Sequence, residues 1–203
     1  MAVLIILRGN SGSGKTSVAK KLQEKLGPET MLISQDVVRR EMLHTKDGPH
    51  SQAIPFIMHL LEYAHQHENY VILEGILNAT WYRPVFQFVK ELFGDAIFAY
   101  YYDLPFEETL KRHQTRSQSQ EFGAEKMARW WKDSDISDVL NEKILRAEIS
   151  LQQALNLILS DIKHYGKRDK YVGRKLSTLF YKVRRNHDYL LFRNIKTDKI
   201  VNL

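Results

Sequence analysis

Residues 9–16 read GNSGSGKT, that is, Gly9, Asn10, Ser11, Gly12, Ser13, Gly14, Lys15 and Thr16. This loop fits the pattern G-x-x-x-x-G-K-[ST], in which glycines let successive backbone N–H groups converge on phosphate oxygens. An apolar run, Val3–Leu7, precedes it, and Thr16–Leu26 follows with apolar side chains at helical spacing. Strand, loop and helix in this order predict that the loop holds a nucleotide. Lys15 is then expected to contact the β- and γ-phosphates and Thr16 to ligate magnesium.

The rest of the chain alternates short apolar runs with helical stretches. Further strands are predicted at Met31–Ser34, Tyr70–Leu73 and Ala96–Tyr102, with Lys143–Ile149 as a candidate fifth strand. Ser150 followed by Gln153 predicts a capping box. The apolar residues after it trace one helix face: Leu151, Ala154, Leu155, Ile158, Leu159 and Ile162. Strands that alternate with helices predict a doubly wound parallel α/β sheet.

Composition excludes several classes of protein. The chain has no cysteine, so disulfides, thiolate metal sites and cysteine nucleophiles are ruled out. No stretch approaches the ~20 apolar residues of a membrane span, and the short apolar N-terminus is predicted to be a strand and not a signal peptide. The eight histidines lack the paired spacing of a zinc site. We therefore expect a cytoplasmic protein whose only metal is magnesium.

Charge divides the chain into two parts. Residues 163–203 hold 12 of the 30 Lys and Arg residues but only 3 of the 24 Asp and Glu residues. We predict a domain over residues 1–162 and a basic extension over residues 163–203. The extension has apolar residues at helical spacing, Leu176, Leu179, Phe180 and Val183, so we expect it to pack on the domain. Nucleic-acid binding by its basic face is the alternative, and neither its role nor the oligomeric state follows from the sequence.

Acidic residues come directly after two predicted strands, where open α/β sheets bind ligands. Asp36 follows the second strand and is a candidate general base, a magnesium ligand through water, or simply a helix cap. Arg39 lies one helical turn further on and is a candidate substrate ligand. Glu74 ends the third strand and is a candidate magnesium and substrate residue, or the structural partner of a cation.

Two arginines follow the fourth strand. Arg112 and Arg116 are four residues apart in a predicted helix, so they share one face. Fixed positive charges near a nucleotide stabilise the charge that spreads over a transferring phosphoryl group. Spacing alone favours an exposed basic helix face instead.

A molecule that accepts the phosphoryl group is expected to bind opposite the nucleotide. Residues 44–50 form a turn-rich insertion there, and Asn78, Trp81, Tyr82 and Arg83 follow Glu74 closely. Asn78 and Tyr82 are the candidate substrate-binding residues, although packing at a helix start explains Trp81 and Tyr82 equally well. Met127, Trp130 and Trp131 are interpreted as packing residues.

This order of motifs resembles the small-molecule and nucleotide kinases. The motifs are the phosphate loop, Ser34-x-Asp36-x-x-Arg39, Leu73-Glu74-Gly75, Asp103-x-Pro105-Phe106-Glu107-Glu108-Thr109 and Arg112-x-x-x-Arg116. Within that group the chain is most similar to the branch of zeta toxin, chloramphenicol phosphotransferase and uridine kinase-like proteins. The resemblance implies a five-stranded sheet in the order 2-3-1-4-5, a closing lid and Asp36 as the catalytic base. It also implies that Arg112 and Arg116 reach the phosphates of ATP, with adenine between the lid helix and the loop after the last strand.

The expected function is therefore an ATP- and magnesium-dependent kinase that phosphorylates a hydroxyl group of a nucleoside, a sugar or a similar metabolite. A polynucleotide 5′-hydroxyl kinase is one alternative, since it would use the basic extension to bind a strand. A kinase of nucleotide sugars, like zeta toxin, is another. A nucleotide-binding regulatory or ATPase module without a dedicated acceptor is the third.

Overall fold

The computed structural model describes residues 2–114 and 124–166. The strands are β1 (Val3–Gly9), β2 (Thr30–Ser34), β3 (Tyr70–Gly75), β4 (Ile97–Tyr102) and β5 (Glu142–Leu145). The helices are α1 (Lys15–Leu26), α2 (Ala53–His67), α3 (Arg83–Phe93), α4 (Phe106–Gln114), α5 (Ala124–Trp130) and α6 (151–166), with a π-helical turn at Val37–Met42. The predictions for Arg116 and for residues 167–203 fall outside these described residues.

The five strands form one parallel sheet in the order β2-β3-β1-β4-β5. In its register Leu7 of β1 lies beside Glu74 of β3 and Tyr100 of β4. The carboxyl ends of β1, β2, β3 and β4 therefore meet at one edge of the sheet, where parallel sheets bind ligands. The predicted fold class and strand order are confirmed.

Side-chain alternation along β1 builds two hydrophobic cores. Leu4 and Ile6 join the core that α2 and α3 cover, whereas Ile5 and Leu7 join the core that α1 and α6 cover. All four side chains are fully buried, because both faces of a parallel sheet carry helices. The continuous apolar run in the sequence follows from this two-sided burial.

The fifth strand is shorter than the sequence predicts. It ends at Leu145, and a turn in which the Ile149 N–H donates to the Arg146 carbonyl replaces the predicted strand to Ile149. The predicted capping box is confirmed: the Ser150 N–H donates to Gln153 Oε1 (2.9 Å), and the Gln153 N–H donates to Ser150 Oγ (3.2 Å). Along α6, Ala154, Leu155, Ile158 and Ile162 are buried as predicted, but Leu151 is exposed. Within the described residues, no helix is long and apolar enough to cross a membrane.

Candidate active site

Backbone conformation shapes the phosphate loop. Gly9, Gly12 and Gly14 have φ values of 137°, 81° and 100°, which side-chain-bearing residues rarely adopt. A Cβ on Gly9 would lie 2.7 Å from the Tyr102 carbonyl oxygen, and one on Gly12 would lie 2.6 Å from that of Thr109. A Cβ on Gly14 would meet no described atom within 4 Å. Gly9 and Gly12 thus allow close packing against neighbouring backbone, and Gly14 leaves open space at the start of α1.

Lys15 lies inside this loop. Its side chain is buried, and its ammonium donates to the Asn10 carbonyl (2.8 Å) and to Ser13 Oγ (3.1 Å). It is also the first residue of α1, whose amino-terminal end carries partial positive charge. The loop therefore places a cation and a helix terminus together, as a phosphate site requires.

Glu74 joins the ends of three elements. Its buried carboxylate accepts hydrogen bonds from the Ser34 hydroxyl (2.6 Å) at the end of β2 and from the Thr16 hydroxyl (3.1 Å) on α1. Two hydroxyls and a carboxylate are oxygen ligands of the kind that magnesium prefers. The described residues contain no cluster of three or more His, Cys, Asp or Glu side chains that could hold a metal. Any magnesium here would therefore keep several water ligands.

Asp36 lies beside β2 with two arginines. Its carboxylate pairs with Arg39 (2.8 Å) and Arg40 (3.3 Å), and its side chain is 58% exposed. Within the described part of the chain it forms no capping hydrogen bond with the helical turn it precedes. The structure thus gives no support to the interpretation of Asp36 as a helix cap, and it leaves the carboxylate accessible to a substrate.

A buried network stands behind the predicted acceptor region. Gln35 Nε2 donates to the Tyr82 hydroxyl (2.8 Å) and to Asp47 Oδ2 (2.9 Å), and the Tyr82 hydroxyl donates to Asp47 Oδ1 (2.9 Å). Gln35 Oε1 accepts from the N–H of Leu77, whose φ of 46° is left-handed. Burial and the nearby Asp47 charge raise the pKa of Tyr82. This network joins residues 44–50 to the segment after β3.

Asn78 shapes the same segment from inside. Its Oδ1 accepts from the N–H groups of Thr80 and Trp81, both at 3.1 Å, and so fixes the turn that leads into α3. Asn78 and Tyr82 are both buried, with 4% and 0% of their surface exposed. Their predicted contact with a substrate stays a prediction. In the structure both side chains stabilise the segment after β3 through hydrogen bonds.

Arg112 crosses from the phosphate loop to the segment after β5. Its Nη1 donates to the Ser13 carbonyl (3.2 Å), its Nη2 to the Ala147 carbonyl (2.8 Å) and its Nε to Glu108 Oε1 (2.6 Å). It borders a cleft of about 270 Å³ lined by Ser13, Gly14, Ser17, Val18, Tyr102, Arg112, Ile149, Ser150, Leu151 and Ala154. The cleft lies where the resemblance places adenine.

The sequence did not reveal the importance of Arg8. Its guanidinium is fully buried at the end of β1, pairs with Glu142 (2.8 Å) and Asp135 (3.2 Å), and donates to the carbonyls of Leu77 and Asp135. The aromatic rings of Phe86 and Tyr101 lie 5.0 and 5.4 Å from it. The available signal was an arginine inside an otherwise apolar strand. A buried charge needs opposite charges and hydrogen-bond acceptors around it, so this arginine indicated a buried polar cluster.

Asn10 belongs to the phosphate loop and also joins this loop to a distant segment. Its amide pairs with the backbone of Lys132, donating to the carbonyl (2.7 Å) and accepting from the N–H (3.2 Å). Lys132 follows α5, so Asn10 fixes the end of the α4–α5 segment to the loop. Nearby, Met127 is buried and Trp131 packs edge-on against Phe106, which agrees with their interpretation as packing residues.

Solved structures share this fold. The chain is similar to a gluconokinase from Sinorhizobium meliloti 1021 (16% identity, 83% of this chain and 96% of that one, TM-score 0.56). It is also similar to a tunicamycin resistance protein from Deinococcus radiodurans (16%, 80% and 96%, TM-score 0.56) and to a shikimate kinase from Acinetobacter baumannii in complex with shikimate (22%, 79% and 95%, TM-score 0.50). At these identities the likeness concerns the fold alone.

Sequence comparison gives the family. No curated protein matches the chain significantly. A model of the AAA domain family AAA_33 matches residues 4–134, which run from β1 past α5 and include the phosphate loop, Asp36, Glu74 and Arg112. Since the match spans more than half of the chain, the chain belongs to this AAA domain family of P-loop proteins.

Proposed function

We propose that this chain is an ATP- and magnesium-dependent kinase that transfers the γ-phosphoryl group to a hydroxyl of a small molecule such as a nucleoside or a sugar. One observation carries the proposal: the carboxyl edge of the sheet brings a phosphate loop, the Glu74 oxygens and the exposed carboxylate of Asp36, paired with Arg39, to one side of the protein. A nucleotide-binding module without an acceptor has no need of the third element. Small kinases among the proteins of similar fold support the same class.

ATP fits the phosphate loop and the neighbouring cleft. The open space at Gly14, the buried ammonium of Lys15 and the start of α1 would receive the phosphates. The cleft between Arg112 and Ser150 would receive the base. Lys15 neutralises charge on the phosphate oxygens, and Arg112 with Arg116 would hold the phosphoryl group as charge spreads over it.

Magnesium fits the neighbouring oxygen groups. Thr16 would ligate it through the hydroxyl that now donates to Glu74, and Glu74 would hold its water ligands. When bound, the ion neutralises negative charge on the β- and γ-phosphates.

Asp36 would act on the acceptor. Its carboxylate accepts the proton of the acceptor hydroxyl, while the hydroxyl oxygen forms a bond to the γ-phosphorus and the bond from that phosphorus to the β-phosphate oxygen breaks. ADP leaves with this oxygen. Arg39 holds Asp36 in place and would also grip the acceptor.

The resemblance to the zeta toxin, chloramphenicol phosphotransferase and uridine kinase-like branch supports a hydroxyl compound as the acceptor but does not identify which one. The test is ADP release with nucleosides, sugars, nucleotide sugars and oligonucleotides as acceptors. We expect one small hydroxyl compound to raise the rate well above that of ATP alone. Stimulation only by oligonucleotides would favour a polynucleotide kinase, and equal rates with and without every acceptor would favour an ATPase.

A further inference from the structure

Three consecutive tyrosines end β4, and their hydroxyls differ in whether they have a hydrogen-bond partner. The Tyr100 hydroxyl donates to Asp161 (2.7 Å), and the Tyr101 hydroxyl accepts from the Asp135 N–H (2.9 Å). The Tyr102 hydroxyl is buried, yet no group within residues 2–114 and 124–166 forms a hydrogen bond with it. A buried hydroxyl without a partner destabilises a fold, so its presence calls for an explanation.

Tyr102 lies at the cleft beside the phosphate loop. It lines this cleft together with Ser17, Arg112, Ser150 and the other residues named above, and only 2% of its surface is exposed. Its backbone is fixed, because Tyr102 pairs with Gly9 across β1 and β4 and a side chain at Gly9 would collide with it. The side chain of Tyr102 therefore extends from a fixed backbone position at the cleft that is proposed for the base.

We propose that the Tyr102 hydroxyl makes a hydrogen bond to the base of the bound nucleotide. This inference rests on the proposed function, since it assigns the cleft to the base of ATP. The ring nitrogens and the amino group of adenine offer both acceptors and donors, and a phenol can serve either. Because the hydroxyl is buried, the base would reach it only after a shift of a side chain that borders the cleft, and Arg112 borders the cleft from α4.

Burial supports this assignment. It raises the pKa of Tyr102 despite the nearby Arg112 charge, so the hydroxyl stays protonated and able to donate at neutral pH. A base that enters the cleft would give the hydroxyl the partner that the described protein groups do not provide.

The test compares Tyr102→Phe with Tyr100→Phe in the full chain, using calorimetric binding of ATP and of inorganic tripolyphosphate together with thermal unfolding. For Tyr102→Phe we expect roughly 3- to 10-fold weaker binding of ATP, which is the value of one neutral hydrogen bond, and unchanged binding of tripolyphosphate. Without ligand this variant should unfold at a higher temperature than the wild type, because a buried hydroxyl without a partner is removed.

Tyr100→Phe is the matched control. It removes a hydroxyl that has a partner on the same face of the same strand, so its unfolding temperature should fall while its ATP affinity stays unchanged. Unchanged ATP affinity in Tyr102→Phe would overturn the inference, as would an equal loss of tripolyphosphate binding, which would mean that Tyr102 acts through the loop. A wild type that binds neither ligand would overturn the nucleotide site itself and the proposed function with it.

Discussion

The proposed nucleotide side and the proposed acceptor side of the sheet edge are held in place by different kinds of contact. On the nucleotide side, glycine conformations and backbone carbonyls set the geometry, with Lys15 and Arg112 bonded to carbonyl oxygens of the loop. On the acceptor side, side chains do this work, because Gln35, Asp47 and Tyr82 bond one another. A backbone-built site suits a ligand common to a family, whereas a side-chain network can change with the substrate.

Asp36→Asn tests the acceptor side most strongly. We expect kcat to fall by roughly 10²- to 10⁴-fold while ATP affinity stays the same, because the amide cannot take the proton of the acceptor. Steady-state kinetics and ATP binding would measure both effects. Glu41→Gln, an exposed neighbour in the same helical turn, is the control and should leave kcat unchanged. An unchanged kcat in Asp36→Asn would mean that Asp36 is not the general base.

Lys15→Ala tests the nucleotide side. We expect a loss of roughly 10²- to 10³-fold in kcat, of the size seen when one group that stabilises developing charge is removed. The fold should persist, since the two hydrophobic cores are built from other side chains, and circular dichroism would confirm it. Lys20→Ala on the exposed face of α1 is the matched control. Normal turnover by Lys15→Ala with any acceptor would contradict the proposed function.

Arg112→Ala probes the link between the phosphate loop and the segment after β5. We expect kcat/KM for ATP to fall roughly 10- to 100-fold, the value of hydrogen bonds from a charged group, with most of the loss in kcat. The exposed neighbour Lys111→Ala should change neither parameter. A loss confined to KM for ATP would mean that Arg112 forms a wall of the cleft and does not act on the transferring phosphoryl group.

Tyr82→Phe should have the smallest effect. Losing the hydroxyl weakens the network around Asp47, so we expect a fall in the free energy of unfolding of about 1 kcal/mol and a several-fold rise in KM for the acceptor. KM for ATP should not change, because the network lies on the acceptor side. Tyr63→Phe, on an exposed part of α2, is the control. An equal rise in KM for ATP and for the acceptor would contradict the assignment of this network to the acceptor side alone.

The sequence predicted the parts that depend on local pattern. The phosphate loop, the order of the strands and the capping box at Ser150 each follow from residues that are neighbours in the chain or from a family pattern. The boundary of β5 was wrong because a turn, set by an Arg146–Ile149 hydrogen bond, replaces its predicted end.

The contacts between distant segments were not predictable. Gln35 lies next to Asp36 in the sequence but reaches Tyr82, and Arg8 reaches Glu142 across more than a hundred residues. Neither pairing has a local signal beyond a polar residue at the end of a buried strand. The hydrogen bond between Asn10 and Lys132 was not predictable either, because it also joins segments that are distant in the sequence.

The central claim is that the γ-phosphoryl group of ATP ends on a small hydroxyl compound. It is tested most directly by mass spectrometry of the reaction products with the acceptor that best stimulates ADP release, with inorganic phosphate measured in parallel. We expect one phosphorylated acceptor for each ADP formed and almost no free phosphate. Free phosphate in amounts equal to ADP, with the acceptor unmodified, would contradict it.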